Sequence, residues 1–206
     1  MPKTWDPSSL EPDAALHRLK AGNQRFIEGT GTPRGGFDAQ KMSAAQRPFA
    51  IVLGCSDSRT PVEIVFDQGF GDLFVVRVAG NIVAPSIVGS IEFAASAFGT
   101  RLVVVMGHTG CGGITASMQA IATGQGPESK NLRAITDRIV PHIEAIARRG
   151  TGMEAHREAV GANVRASVDH LRHGSQILEE LVLKGRVQVV GSEYDLETGR
   201  VTFFDH

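Results

Sequence analysis

The sequence contains little cysteine, tryptophan or tyrosine, and it has no long hydrophobic run. Its 206 residues include two cysteines, one tryptophan and one tyrosine. The longest apolar stretches, such as residues 102–106, are far shorter than the roughly 20 residues that a membrane-spanning helix needs. Residues 1–10 also lack the basic start and apolar core of a secretory signal. We therefore expect a soluble, cytoplasmic protein.

An excess of charge of either sign is also missing. Lysine and arginine total 21 against 22 acidic residues, which gives a formal net charge of -1, and the basic residues are scattered along the chain. Proteins that bind nucleic acid or anionic membranes through electrostatics carry basic clusters instead. We therefore expect neither nucleic acid nor a membrane as a partner.

The two cysteines are Cys55 and Cys111. Their number alone allows a single disulfide. In a reducing compartment, however, a pair of thiols more often binds a metal, takes part in catalysis or is simply buried. The residues around each cysteine have to distinguish these cases.

Short apolar runs alternate with helical patterns along the chain. The apolar runs cover residues 49–54, 73–78, 102–106 and 187–190, with a weaker one at 201–204. The helical patterns cover residues 12–28, 86–98, 113–122, 131–149, 154–173 and 176–184, and Pro141 is expected to start a turn or kink its segment. Fully apolar strands that alternate with helices predict an α/β fold with a mostly parallel β-sheet flanked by helices.

The two ends of the chain complete this predicted architecture. A tight turn at residues 195–199 predicts a C-terminal antiparallel edge strand. We expect one domain over residues 1–206, with an N-terminal helical arm and loop at residues 1–36 and an α/β core at residues 37–206.

Polar motifs directly follow the first and third predicted strands. They are Cys55-Ser-Asp-Ser-Arg59 and His108-Thr-Gly-Cys111. The carboxyl ends of parallel strands lie at one edge of a sheet, so Cys55, His108 and Cys111 can converge there. Two cysteines and one histidine match a catalytic zinc site with an open fourth position. Taken singly, each could instead be a buried thiol or a histidine capping a turn, and Asp57 and Arg59 could be a local ion pair.

The two motifs together resemble the paired Cys-x-Asp-x-Arg and His-x-x-Cys signature of β-class carbonic anhydrases. The resemblance also covers residues 15–26, 67–77, 89–93 and 194–199, nearly the whole chain. It implies a zinc lyase (carbonate dehydratase) that reversibly hydrates carbon dioxide to bicarbonate and a proton. It also implies one Zn²⁺ per chain.

The resemblance further implies roles for the motif residues. Cys55, His108 and Cys111 would coordinate zinc, and hydroxide would fill the fourth position. Asp57 would accept a hydrogen bond from that hydroxide, while Arg59 would pair with Asp57 and keep it off the metal. In a closed, inactive state Asp57 would itself become the fourth zinc ligand.

Substrate contacts and assembly are implied in the same way. Gln46 and the backbone N–H of Gly112 would bind or orient substrate. Phe74 and Phe93 would form an apolar wall across a subunit interface, in a homodimer or a dimer of dimers (a homotetramer).

The sequence departs from the family pattern at two positions. Val52 stands where members with an inhibitory bicarbonate pocket have tryptophan, although Arg77 and Tyr194 resemble the other residues of that pocket. Phe93 stands where plant-like members often have tyrosine.

Two other functions fit the same residues. One is hydrolysis of carbonyl sulfide or carbon disulfide at the same zinc site, since a fold and a metal site do not determine the substrate. The other is a non-catalytic zinc-binding protein that retains the fold.

Overall fold

Five strands form a single sheet in the computed structural model, which describes residues 10–31 and 39–204 apart from the side chains of Lys41 and Met42. The strands are β1 (Ala50–Gly54), β2 (Leu73–Arg77), β3 (Leu102–His108), β4 (Gln188–Tyr194) and β5 (Val201–Phe203). Their order in the sheet is β2-β1-β3-β4-β5; all neighbours pair in parallel except β4 and β5, which are antiparallel. The predicted mostly parallel sheet with an antiparallel edge strand is therefore confirmed.

Helices occupy most of the remaining chain. They are α1 (Pro12–Glu28), α2 (Ala39–Ser43), α3 (Val62–Val65), α4 (Pro85–Phe98), α5 (Gly112–Thr123), α6 (Lys130–Arg149), α7 (Met153–His173) and α8 (Gln176–Leu183). A short 3₁₀ turn, Ala79–Asn81, lies between β2 and α4. Serines begin two of the helices, because the hydroxyls of Ser129 and Ser175 each accept a hydrogen bond from an N–H in the first turn.

The sheet is covered on both faces, and every residue of β1 and β3 is therefore buried. On one face, Val52 and Val104 pack in a cluster with residues of α1 and α3. On the other face, Ile51 and Val103 pack with residues of α4, α7 and α8. A third buried cluster joins α5, α6 and α7 and includes Cys55 and Cys111.

Helix α1 packs against the core of its own chain. Leu19 is fully buried, and Asn23 bridges two other segments by donating to the carbonyl oxygens of Val65 and Gly199. The helix ends at Gly29, which adopts a left-handed conformation. Most of the predicted loop after α1 lies outside the described residues, and the division into arm and core stays a prediction.

The structure differs from the predicted elements in a few places. Helix α6 continues through Pro141, so this proline does not start a turn, and the alternative expectation of a kink stays a prediction. Strand β4 runs four residues beyond the predicted end, because Gly191, Ser192 and Glu193 continue the pairing with β3 despite their composition. The helices α2 and α3 and the 3₁₀ turn were not predicted, since segments of three to five residues are too short to show a helical period.

Candidate metal centre

Cys55, His108 and Cys111 come together at the carboxyl edge of the sheet. Cys55 directly follows β1, His108 is the last residue of β3, and Cys111 directly precedes α5. One ligand atom of each residue lies within 4.8 Å of the others, and all three side chains are buried. Gly110 has a φ of 67°, a left-handed value that lets a tight turn direct both His108 and Cys111 inward. Both cysteines are free thiols, so the disulfide alternative does not hold.

The imidazole of His108 is oriented as a metal ligand would be. Its Nδ1 lies 2.9 Å from the carbonyl oxygen of Thr109, an acceptor that holds the proton on Nδ1. Its Nε2 is buried and has no hydrogen-bond partner among the described residues. A metal-binding histidine commonly uses one ring nitrogen for the metal and donates with the other to a carbonyl, which is the arrangement found here.

The two thiols shift each other's ionisation. The Cys111 thiol, by hydrogen-bonding to Cys55, lowers the pKa of Cys55; burial opposes this shift and His108 assists it. The same contact and burial raise the pKa of Cys111. A cation bound between the sulfurs would stabilise both as thiolates. Two thiolates and an imidazole are ligands that Zn²⁺ favours, so these residues fit a zinc ion.

Asp57 and Arg59 form a paired unit beside the cluster. Arg59 donates from Nε to Asp57 Oδ1 at 2.9 Å and from Nη2 to Oδ2 at 2.8 Å. The Arg59 guanidinium holds the pKa of Asp57 well below its ordinary value. Oδ2 of Asp57 lies 4.0 Å from Nε2 of His108, so this carboxylate borders the ligand cluster.

Backbone and side-chain donors from β2 and the segment after it support Cys55. Arg77, at the end of β2, donates to the carbonyl oxygens of Cys55 at 2.9 Å and Asp57 at 2.7 Å. The N–H of Gly80 lies 3.4 Å from the Cys55 sulfur and donates to it. These contacts place the first motif against the end of β2.

His156 of α7 supports the second motif. Its Nε2 lies 3.3 Å from the carbonyl oxygen of Cys111 and 3.2 Å from Oγ1 of Thr115. The sequence predicts a solvated histidine here, because the surrounding helix is polar, but the residue is partly buried. No signal in the sequence links it to Cys111, since the two are 45 positions apart.

The predicted substrate residues occupy three places. Gly112 begins α5 beside Cys111 and is exposed, with nothing within 4 Å of where a Cβ would stand. Gln46 lies exposed in the segment before β1. Phe74 and Phe93 do come together, with ring centroids 6.5 Å apart, and Phe98 joins them at 6.1 and 5.3 Å.

Arg77 and Phe98 were not predicted to have these positions. Arg77 ends a strand next to β1, so the same argument that brought Cys55 and His108 to one edge would have placed Arg77 there. Phe98 lies at the end of the same helix as Phe93, and the sequence gives no sign that both rings face β2.

Among the described residues, no helix is both long and apolar enough to cross a membrane.

Known proteins match this chain over most of its length. The family model described as "Carbonic anhydrase" matches residues 50–201, which include every residue of the two motifs. A carbonic anhydrase of Mycolicibacterium smegmatis is 38% identical over 197 residues, which cover 95% of this chain and 94% of that protein.

Solved structures share the fold. The β-carbonic anhydrase CcaA superposes with a TM-score of 0.70 and 25% identity, covering 92% of this chain and 95% of that chain. A structure of tetrameric β-carbonic anhydrases from Sordaria macrospora superposes with a TM-score of 0.71 and 22% identity. The match covers 94% of this chain and 95% of that chain. The family model matches most of the chain, and the Mycolicibacterium smegmatis carbonic anhydrase aligns with the chain almost end to end. The chain therefore belongs to the β-carbonic anhydrase family.

Proposed function

We propose that this protein catalyses the reversible hydration of carbon dioxide to bicarbonate and a proton, with one Zn²⁺ held by Cys55, His108 and Cys111. The observation that carries the proposal is the buried three-ligand cluster with an arginine-paired carboxylate at its border. When bound, zinc would supply a water acidic enough to act as a nucleophile near neutral pH.

Asp57 would orient that reacting water. Its carboxylate is ionised and close to the cluster, so it can accept a hydrogen bond and direct the oxygen toward carbon dioxide. Arg59 would act through Asp57, because its two hydrogen bonds hold the carboxylate in one orientation and away from the ligand set. Without Arg59, Asp57 could become the fourth ligand and give a closed, inactive site.

Gly112 and Gln46 would bind the ionic form of the substrate. The N–H of Gly112 stands at the first position of a 12-residue helix, where unpaired N–H groups favour an anion such as bicarbonate. The open space at Gly112 leaves room for that anion. Gln46 would add a side-chain hydrogen bond.

A second copy of the chain would complete the pocket. Phe93 is 55% exposed although it packs edge-on against Phe98, and both rings adjoin Phe74 on the edge strand β2. Such an aromatic surface at a sheet edge suits burial against another subunit. The tetrameric fold relatives support a homodimer or a dimer of dimers.

Stopped-flow measurement of carbon dioxide hydration tests the proposal. The purified protein should carry about one zinc per chain, lose hydration activity when a chelator removes the metal, and regain it when zinc is restored. Assays of carbonyl sulfide and carbon disulfide hydrolysis run beside it. Hydrolysis of either without hydration of carbon dioxide would refute the proposed substrate, and zinc binding with no activity would identify a non-catalytic protein.

A further inference from the structure

The 3₁₀ turn Ala79–Asn81 supplies the N–H group that donates to the Cys55 sulfur. Two of its residues have left-handed backbone conformations, with φ of 68° at Gly80 and 42° at Asn81. Glycine can rotate about φ and ψ more freely than other residues, so the direction of an N–H at Gly80 needs support from outside the turn.

Helix α7 provides that support through two buried side chains. Asn163 donates from Nδ2 to the carbonyl oxygen of Gly80 at 2.9 Å, and Ser167 donates from Oγ to the carbonyl oxygen of Asn81 at 3.3 Å. Residues four apart lie on the same face of a helix, so both donors reach the turn together. The two peptide groups that follow the N–H of Gly80 are thereby held by one rigid element.

Close packing limits the turn further. A Cβ at Gly113, in the first turn of α5, would lie 3.1 Å from the Cα of Gly80. A Cβ at Gly80 would lie 2.8 Å from Cδ1 of Ile139 on α6. The turn is thus enclosed between the helix that follows Cys111 and the helix packed on it, while Asn163 holds it from α7.

We propose that Asn163 is a positioning residue of the metal centre, which holds the Gly80 turn so that its N–H stays directed at the Cys55 sulfur. The inference rests on the proposed zinc site. Hydrogen bonds to a thiolate stabilise its charge and fix its orientation, and such outer contacts tune metal affinity. Ser167 is the weaker second anchor, because its bond is longer and lies one peptide further from the donor.

A merely structural role for Asn163 gives a different expectation. It is 2% exposed, so its removal would lower the stability of the protein in either case. A structural role would leave the zinc affinity and the electronic spectrum of the metal site unchanged in the folded protein. A positioning role would change both.

The test compares zinc binding by the wild type, Asn163→Ala and a matched control. The control is Thr100→Val, which removes another buried side-chain bond to a backbone carbonyl, from Oγ1 to Pro48 at 2.9 Å, at the opposite end of β3 from the site. Competition with a chelator should show zinc binding at least about tenfold weaker in Asn163→Ala. Binding by Thr100→Val should stay within about twofold of the wild type.

Spectroscopy gives a second readout that does not depend on activity. In protein loaded with Co²⁺ instead of zinc, the sulfur-to-cobalt charge-transfer band should shift in Asn163→Ala and stay unchanged in Thr100→Val. Ser167→Ala should show a smaller loss of zinc affinity and a smaller shift of the band. If Asn163→Ala does not fold, Ser167→Ala serves as the test variant in its place. Wild-type affinity and spectrum in the folded Asn163→Ala, or equal weakening by Thr100→Val, would overturn the assignment.

These measurements separate this inference from the proposed function. If the wild type binds zinc but does not hydrate carbon dioxide, the proposed function fails while the role of Asn163 can still be upheld. If the wild type binds zinc and hydrates carbon dioxide but Asn163→Ala matches it in affinity and spectrum, only the role of Asn163 fails. If the wild type binds no zinc, both fail.

Discussion

Arg59 holds the Asp57 carboxylate with two parallel hydrogen bonds, a geometry that lysine cannot reproduce. Its side chain is 59% exposed, so the pair contributes little to the stability of the fold. Its importance is local, because it determines where the two carboxylate oxygens point beside the ligand cluster.

Replacing Arg59 by alanine should therefore reduce catalysis far more than stability. We expect kcat/KM for carbon dioxide hydration to fall by about 10²-fold, since misplacement of a catalytic group by about 1 Å has effects of that size. Arg59→Lys should recover part of the loss. Stopped-flow assays measure the rates, and thermal unfolding should show almost no change.

An exposed arginine that makes no contact with the candidate metal centre in the described residues provides the control. Arg148 pairs with Glu144 on the surface of α6 in the same charge combination. Arg148→Ala should leave hydration unaltered. Equal losses in both variants would mean that Asp57 is not oriented through Arg59.

At the scale of elements, the turn between β4 and β5 is held by Asp195. Its Oδ1 accepts from the N–H groups of Glu197 at 2.9 Å and Thr198 at 3.0 Å. Its Oδ2 pairs with Arg157 of α7, which also contacts Glu193 at 3.4 Å. The short edge strand β5 therefore depends on an ionised carboxylate.

That dependence gives a pH effect of definite sign. Burial alone would raise the pKa of Asp195, but the N–H groups of Thr198 and Glu197 together with Arg157 outweigh it, and the net pKa is lowered. A group whose pKa is lower in the folded state stabilises the fold above its unfolded pKa of about 3.9, and this contribution is lost as the pH falls through the folded value.

Asp195→Asn should reveal the effect. At pH 7 the free energy of unfolding of the variant should be about 1 kcal/mol lower than that of the wild type. The reason is that hydrogen bonds to a neutral amide oxygen are weaker than those to the Asp195 carboxylate. The difference should shrink as the pH is lowered below about 4. Urea unfolding at a series of pH values measures it; a difference that stays constant down to pH 3 would contradict the assignment.

Phenylalanine side chains form an exposed aromatic surface at β2. Phe74, Phe93 and Phe98 form one cluster, with Phe93 more than half exposed. Exposed apolar residues of this size and grouping usually mark a surface that another protein covers.

Phe93→Glu should weaken subunit assembly at this surface. A buried unpaired charge costs several kcal/mol, enough to shift a dimer toward monomers at micromolar concentration. Analytical ultracentrifugation should show the shift, accompanied by a lower hydration rate if the partner subunit completes the pocket. Leu183→Glu, at an 80% exposed apolar residue of α8, is the control and should leave assembly unchanged. If Phe93→Glu has the same molecular mass in solution as the wild type, the aromatic cluster is not part of the subunit interface.

Much of this architecture was predictable from local patterns. The continuous apolar runs of β1 and β3 indicated strands buried on both faces, and helix α1 was predicted with the bounds it has in the structure. Strand β4 was predicted too short because Gly191, Ser192 and Glu193 resemble a loop in composition. They belong to the strand because β3 offers partners as far as His108.

The three candidate metal ligands, and the sheet edge where they meet, were predictable from local sequence because Cys55 and His108 each stand at the end of an apolar strand. The groups that surround these three side chains could be identified only from the folded chain. Asn163 and His156 reach the centre through contacts between residues 83 and 45 positions apart. Such contacts depend on how helices and strands pack, and short motifs carry no information about that packing.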